Sequence, residues 1–189
     1  PPGAPWYGFA RVTRHLADPG VVSGLKRSGC VMLKLGVESG DQDVLDALGK
    51  GIHIDTVSRA LETIHQAGIA TYVYLLFGTP AEDERSAAKT LDFTLGHASS
   101  IDFLNLAIFN LPAYGDAAGS LNTEDFYEGD LSLYREFIHP RGWRRERVRR
   151  FLSKAFKRPG AIRTILSNDP PFFTSNHAPF FGCDHWSEG

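Results

Sequence analysis

Residues 30–40 read Cys-Val-Met-Leu-Lys-Leu-Gly-Val-Glu-Ser-Gly, a mostly apolar run that ends in an acid and a hydroxyl between glycines. A second apolar run, at 72–77, is followed directly by Gly-Thr-Pro. Short apolar runs bounded by turn residues are typical of strands buried in a parallel sheet. With two similar runs at the flanks, the sequence predicts four strands, which we place at 6–12, 31–37, 72–77 and 101–109.

Amphipathic helices are predicted between these strands. Asp18 precedes Pro19 in the order typical of a helix start, and Asp55 is predicted to cap a helix that ends at Gly68. A third helix start carries acids where the helix dipole favours negative charge, namely Glu82, Asp83 and Glu84. Strands that alternate with helices indicate βαβ units. The predicted fold class is therefore α/β, with a partial parallel (β/α) barrel over residues 1–112.

The pattern changes after residue 112. Residues 113–189 are predicted to form a C-terminal extension, helical and irregular, with a basic amphipathic helix at 144–158. From Arg141 to Arg163 there are ten basic residues and one acid, Glu146, so this segment carries +9 in a chain whose net charge is −2. A local basic surface follows, but not a general affinity for nucleic acid.

Other features narrow the class of protein. No apolar run is long enough to span a membrane, and no signal peptide is visible at the start. With only two cysteines, Cys30 and Cys183, we expect a reducing, cytoplasmic location. Cys30 precedes a strand and is expected to be buried. Because His177, Cys183 and His185 match no ligand spacing, no metal site is predicted.

The strand ends carry the candidate site residues. In parallel α/β folds, ligands bind outside the carboxyl ends of the strands. Glu38 and Ser39 stand at such an end, and a carboxylate can accept hydrogen bonds from both hydroxyls of a ribose. The alternative is that Glu38 only caps the next helix. The Gly78-Thr79-Pro80 strand end could likewise be a simple turn into a helix.

Taken together, these segments follow a distinctive order. The order is Ser28-Gly29-Cys30, strand, Gly36-Val37-Glu38-Ser39-Gly40, Gly49-Lys50-Gly51, helix, Ala67-Gly68-Ile69, strand, and Phe77-Gly78-Thr79-Pro80-Ala81-Glu82. It resembles the radical S-adenosylmethionine (SAM) superfamily over roughly residues 6–112. The likeness is strongest to the subgroup whose members often carry a cobalamin-binding domain before the barrel.

The resemblance implies a radical SAM enzyme acting on a substrate that the sequence does not identify. In that family, SAM binds a [4Fe–4S] cluster and is cleaved to a 5′-deoxyadenosyl radical, and some members transfer methyl groups through cobalamin. Glu38 and Ser39 would contact the ribose and nearby polar groups of SAM, and Arg11 would bind its carboxylate. The strand end near the adenine would consist of Leu76, Phe77 and Gly78.

The family's CxxxCxxC motif is absent from these 189 residues. The chain is therefore expected to be the second half of the barrel, inactive by itself, with the N-terminal half of the same protein as its partner. Two alternatives remain at this point. One is an aldolase-like (β/α) barrel that uses acid–base residues such as Glu38 and Lys34. The other is a non-catalytic module that docks a partner through its basic helix.

Overall fold

The computed structural model describes residues 4–113, 121–125 and 133–168. Its central element is a four-stranded parallel sheet in the order β1-β2-β3-β4. The strands are β1 (Trp6–Ala10), β2 (Cys30–Glu38), β3 (Ala70–Phe77) and β4 (Phe103–Ile108). All four were predicted, with ends that differ by no more than two residues. The predicted fold class is confirmed as an α/β fold with an open parallel sheet, which is consistent with a partial barrel.

Helices connect successive strands. They are α1 (Pro19–Arg27), α2 (Gln42–Ala47), α3 (Ile54–Gln66) and α4 (Glu84–Gly96), with short 3₁₀ turns at Arg14–Ala17 and Ala98–Ser100. As predicted, the Asp18 carboxylate caps α1 by accepting from the backbone N–H of Gly20 at 2.7 Å. The prediction that Asp55 caps α3 is wrong. The cap residue is His53, and the side chain of Gln42 accepts from the first helical N–H at 2.9 Å, so Asp55 lies within the first turn.

The two faces of the sheet differ. One face packs against helices α1 to α4, and its strand residues include Leu35, Val73 and Leu104 in the main hydrophobic core. The other face carries a separate cluster of Met32, Ala70, Tyr72 and Phe103. Side chains alternate between faces along a strand, so each strand contributes to both. We call the second face the inner face.

Three short antiparallel strands follow β4, and the first of them lies before residue 113, where the predicted C-terminal extension starts. These are β5 (Leu111–Pro112), β6 (Thr123–Asp125) and β7 (Tyr134–Phe137), in the order β5-β7-β6. The sequence indicates irregular chain here instead of strands. These strands are only two to four residues long and β7 is mostly exposed, so they show no alternating apolar pattern.

The extension continues into two helices. Helix α5 (Arg145–Phe151) runs into a π-helical turn (Leu152–Phe156), and α6 (Gly160–Ser167) follows. These helical turns fall within residues 144–158, where a basic amphipathic helix is predicted: Val148, Leu152 and Phe156 are buried, and Arg149 and Arg150 are exposed. Among the residues that the structure describes, none of the helices has the length and apolar character that crossing a bilayer requires.

Candidate functional site

Glu38 ends β2 in an unusual backbone conformation. Its φ is +70°, and among the described residues it is the only non-glycine residue with a positive φ. The pairing of β2 with β3 shifts register between Gly36 and Glu38. A non-glycine residue in the left-handed region costs about 1–3 kcal/mol and persists only where the surrounding structure enforces it. Such strain is concentrated at functional sites, which singles out this strand end.

The carboxylate of Glu38 pairs with one cation, Lys50, and Arg11 is linked to it only through Lys50. Lys50 Nζ donates to Glu38 Oε1 at 2.8 Å, and the two side chains are 26% and 21% exposed. Arg11, just beyond β1, donates to the backbone carbonyl of Lys50. A Cβ at Gly36 would lie 3.0 Å from Glu38 Oε1, so this glycine leaves room for the carboxylate on the inner face. The structure thus brings Arg11 and Glu38 together through Lys50, which the sequence analysis did not single out.

Glu38 does not cap the following helix. The cap of α2 is Asp41, whose Oδ1 accepts from the backbone N–H of Asp43 at 3.0 Å. The structural alternative for Glu38 that the sequence left open is therefore wrong.

Ser39 is fully buried and faces α4. Its hydroxyl oxygen lies 3.1 Å from that of Thr90 and accepts from the backbone N–H of Asp41 at 3.1 Å. A Cβ on the neighbouring Gly40 would come within 2.6 Å of Phe93 Cβ. Ser39 and Gly40 thus anchor the strand end to α4. The predicted contact of Ser39 with SAM stays a prediction.

The three predicted adenine neighbours do not share one face. Leu76 is partly exposed and alternates with Tyr72 and Tyr74, so it belongs to the inner face with Glu38. Phe77 is buried on the opposite face, with its ring centroid 5.2 Å from that of Phe156. Gly78 has a φ of +80°, and a Cβ there would meet Val148 at 3.3 Å.

Glu82 is a buried acid that the sequence analysis placed at a helix start. Helix α4 begins two residues later, with Asp83 as its cap. Glu82 Oε2 accepts from the backbone N–H of Gly78 and from Trp143 Nε1 at 2.9 Å, whereas Oε1 is buried with no hydrogen-bond partner among the described residues. Burial raises the pKa of this carboxyl to about 7.

His139 holds the turn that precedes Glu82. Its Nδ1 accepts from the backbone N–H groups of Arg141 and Trp143 at 3.2 and 3.3 Å. Nε2 must therefore carry the proton, which it donates to the Thr79 carbonyl at 2.9 Å. Burial lowers the pKa of this imidazole. The extension is thus hydrogen-bonded to the turn after β3, a contact between residues about 60 positions apart that no local pattern reveals.

Lys34 lies on the inner face among aromatic rings. It is fully buried, and its Nζ is 4.8 Å from the ring centroid of Tyr7, 5.2 Å from Phe9 and 5.6 Å from Tyr72. Such cation–π contacts stabilise the ammonium, but burial lowers its pKa.

No group of metal-ligating side chains occurs among the described residues. Cys30 is buried, as predicted, and burial raises its thiol pKa to about 11. The residues His177, Cys183 and His185 lie outside the described ranges.

A cavity of about 200 Å³ lies outside the carboxyl ends of β3 and β4. Gly78 and residues 108–111 line it from the sheet, and residues 135–139 and 143–145 line it from the extension. Of the six residues predicted to contact SAM, only Gly78 lines this cavity.

Comparisons with known proteins agree with the family resemblance of the sheet region. The family model of the radical SAM superfamily matches residues 8–94, which confirms the predicted resemblance. Bacteriochlorophyllide d C-12(1)-methyltransferase of Chlorobaculum tepidum is 31% identical over 81 residues, which are 42% of this chain and 18% of that protein.

Solved structures of two radical SAM enzymes are also similar. The methyltransferase TsrM of Kitasatospora setae, with cobalamin and a [4Fe–4S] cluster bound, has a TM-score of 0.48 and 18% identity over 56% of this chain and 20% of TsrM. Coproporphyrinogen III oxidase (HemN) of Escherichia coli has a TM-score of 0.47 and 19% identity over 55% of this chain and 23% of HemN. The matched part of the chain spans about a fifth of the length of these relatives.

Proposed function

We propose that the chain, whose residues 8–94 match the radical SAM family model, is part of a radical SAM enzyme and holds SAM against Glu38. The observation that carries this proposal is the enforced left-handed conformation of Glu38, at the carboxyl end of a parallel strand. Ligands of parallel α/β folds gather at this edge.

The surroundings of Glu38 suit a polar ligand with hydroxyl and ammonium groups. A carboxylate accepts from both hydroxyls of a ribose, or from an ammonium group. Its present partner, Lys50, is partly exposed, and such ion pairs contribute only about 0–1 kcal/mol. Ligand hydrogen bonds can therefore replace the Lys50 contact at little loss of free energy.

The other predicted residues take supporting roles in this proposal. Arg11 supplies a cation for the carboxylate of SAM, and Leu76 offers an apolar inner-face contact for the adenine. Ser39 keeps Glu38 in position through Thr90, and Phe77 and Gly78 fix the end of β3 from the opposite side of the sheet.

The described residues do not fit an iron–sulfur cluster. Such a cluster needs several closely spaced thiolates, and Cys30, the one cysteine among the described residues, is buried with a raised thiol pKa. We therefore assign the cluster ligands to another part of the full-length protein and infer that residues 1–189 are inactive by themselves. The cluster with SAM supplies radical chemistry in this family.

The reaction that we favour is methyl transfer with cobalamin as a further cofactor. The support is that the Chlorobaculum tepidum relative is a methyltransferase. The radical SAM match also favours this family over an aldolase-like barrel or a docking module.

The proposal is tested with Glu38→Gln in the full-length protein. Losing a charge-assisted hydrogen bond costs about 1.5–3 kcal/mol, so the Kd for SAM should rise roughly ten- to a hundred-fold. The melting temperature without SAM should hardly change, because Glu38 caps no helix. The matched control is Glu62→Gln, at an exposed position of α3. An unchanged Kd with a large fall in melting temperature would show that Glu38 is structural.

A further inference from the structure

We propose that the cavity between the sheet and the extension binds a small ligand with an apolar body and a carboxylate group. Because it shares only Gly78 with the residues assigned to SAM, this site is independent of the proposed SAM site. Its volume, about 200 Å³, is below the ~300 Å³ at which typical ligand pockets begin. It therefore fits a one-ring molecule, or one end of a larger molecule.

The walls of the cavity are apolar and partly aromatic. The rings of Phe109 and Phe137 meet edge to face, with centroids 5.7 Å apart. Leu111 and Trp143 are buried beside them. The Trp143 N–H is held by Glu82, which leaves the indole ring rather than its polar edge for contact with a ligand. These walls suit a flat apolar body.

The polar groups of the cavity are mostly cationic. Arg135, Arg144 and Arg145 line it, against a single acid, Glu136. His139 adds no charge, because Nδ1 accepts hydrogen bonds and its pKa is lowered. The lining therefore carries a net charge of about +2, which favours an anionic ligand.

Two of these arginines are suited to hold the anion. Arg145 donates to the uncharged side-chain oxygen of Asn110 at 2.6 Å. Arg144 makes no ion pair with any residue in the described part of the chain. A guanidinium binds a carboxylate through two parallel hydrogen bonds, and this planar match is why we assign a carboxylate.

The test is a ligand-observed NMR titration of the full-length protein with benzoate, phenylphosphonate and benzyl alcohol, without SAM. We expect saturable binding of benzoate, weaker binding of phenylphosphonate and none of benzyl alcohol. Arg144→Gln and Arg145→Gln should each raise the Kd for benzoate about ten-fold or more. Arg150→Gln, on the exposed side of α5, should leave it unchanged. Thermal melting of each variant checks that it is folded.

Several results would overturn the proposal. Absence of saturable benzoate binding would show that the cavity is not a site for such ligands. Equal binding of benzyl alcohol would show that the site does not require an anion. Tighter binding of phenylphosphonate than of benzoate would show that the site prefers a phosphoryl group to a carboxylate. Benzoate binding that survives both arginine substitutions would locate the ligand elsewhere.

Discussion

Replacing Glu82 by glutamine should change how the stability of the protein depends on pH. In the folded protein, burial raises the pKa of Glu82 from an ordinary 4.5 to about 7. Between these two values the folded state binds more protons than the unfolded state, so the free energy of unfolding falls as pH rises. The contribution of Glu82 is fully present below pH 4.5 and is lost by about pH 7.

The size of the effect follows from the shift. Each pKa unit corresponds to about 1.4 kcal/mol, so the loss between pH 4.5 and 7 is about 3 kcal/mol. The amide of the Glu82→Gln variant would be neutral throughout and would lack this loss. At pH 5 the wild-type carboxyl is protonated, and because Oε2 accepts two hydrogen bonds its O–H lies at Oε1 without a partner, just as the N–H of the amide would. The two proteins should thus be similar in stability at pH 5, and the variant should be the more stable by up to about 3 kcal/mol at pH 8.

The assay is urea unfolding of wild type and Glu82→Gln at pH values from 5 to 8, with Glu62→Gln as the exposed control. The groups near Glu82 are Asp83 and Asp41, which raise its pKa, and His139 with Arg141. The lowered pKa of His139 acts in the opposite direction, because its contribution is lost as pH falls. It is present in both proteins and cancels in the comparison. Parallel stability curves for wild type and Glu82→Gln would refute the reasoning.

Two further predictions concern the strand end and the cluster. Gly40→Ala should lower the free energy of unfolding by about 1–3 kcal/mol, because its Cβ would lie 2.8 Å from Thr90 Cα. The control variant Gly96→Ala should not be destabilised, because a Cβ there meets nothing within 4 Å. Equal stability of the two variants in urea unfolding would contradict this packing. Anaerobic reconstitution of the 189-residue chain should yield no stoichiometric iron and sulfide, because Cys30 and Cys183 are its only cysteines. A stable cluster absorption band would contradict that expectation.

The parallel sheet was predictable because its signals are local. The apolar run of β2 and the Asp18-Pro19 start of α1 are visible within a few residues, and the structure confirms both. The cap of α3 was wrongly assigned to Asp55 because acids are favoured both at the cap position and in the first turn of a helix. The start of α3 is fixed by the contact of the Gln42 side chain with the first helical N–H, which local sequence does not show.

The candidate site was only partly predictable. Glu38 was found because it stands between glycines after an apolar run. Its partner Lys50 depends on how the loop after α2 folds back, which no periodicity encodes. Glu82 looked like an ordinary acid at a helix start, and its burial depends on Trp143, 61 residues away. Contacts of that separation are set by the tertiary fold rather than by local sequence.

The central claim is that SAM binds at the carboxyl end of β2 against Glu38, and a structure of the full-length protein with bound SAM tests it most directly. We predict that the Glu38 carboxylate lies within hydrogen-bond distance of a hydroxyl or ammonium group of SAM, with Lys50 Nζ displaced from Oε1. An ordered SAM molecule bound elsewhere, with the ion pair between Lys50 and Glu38 intact, would contradict the claim.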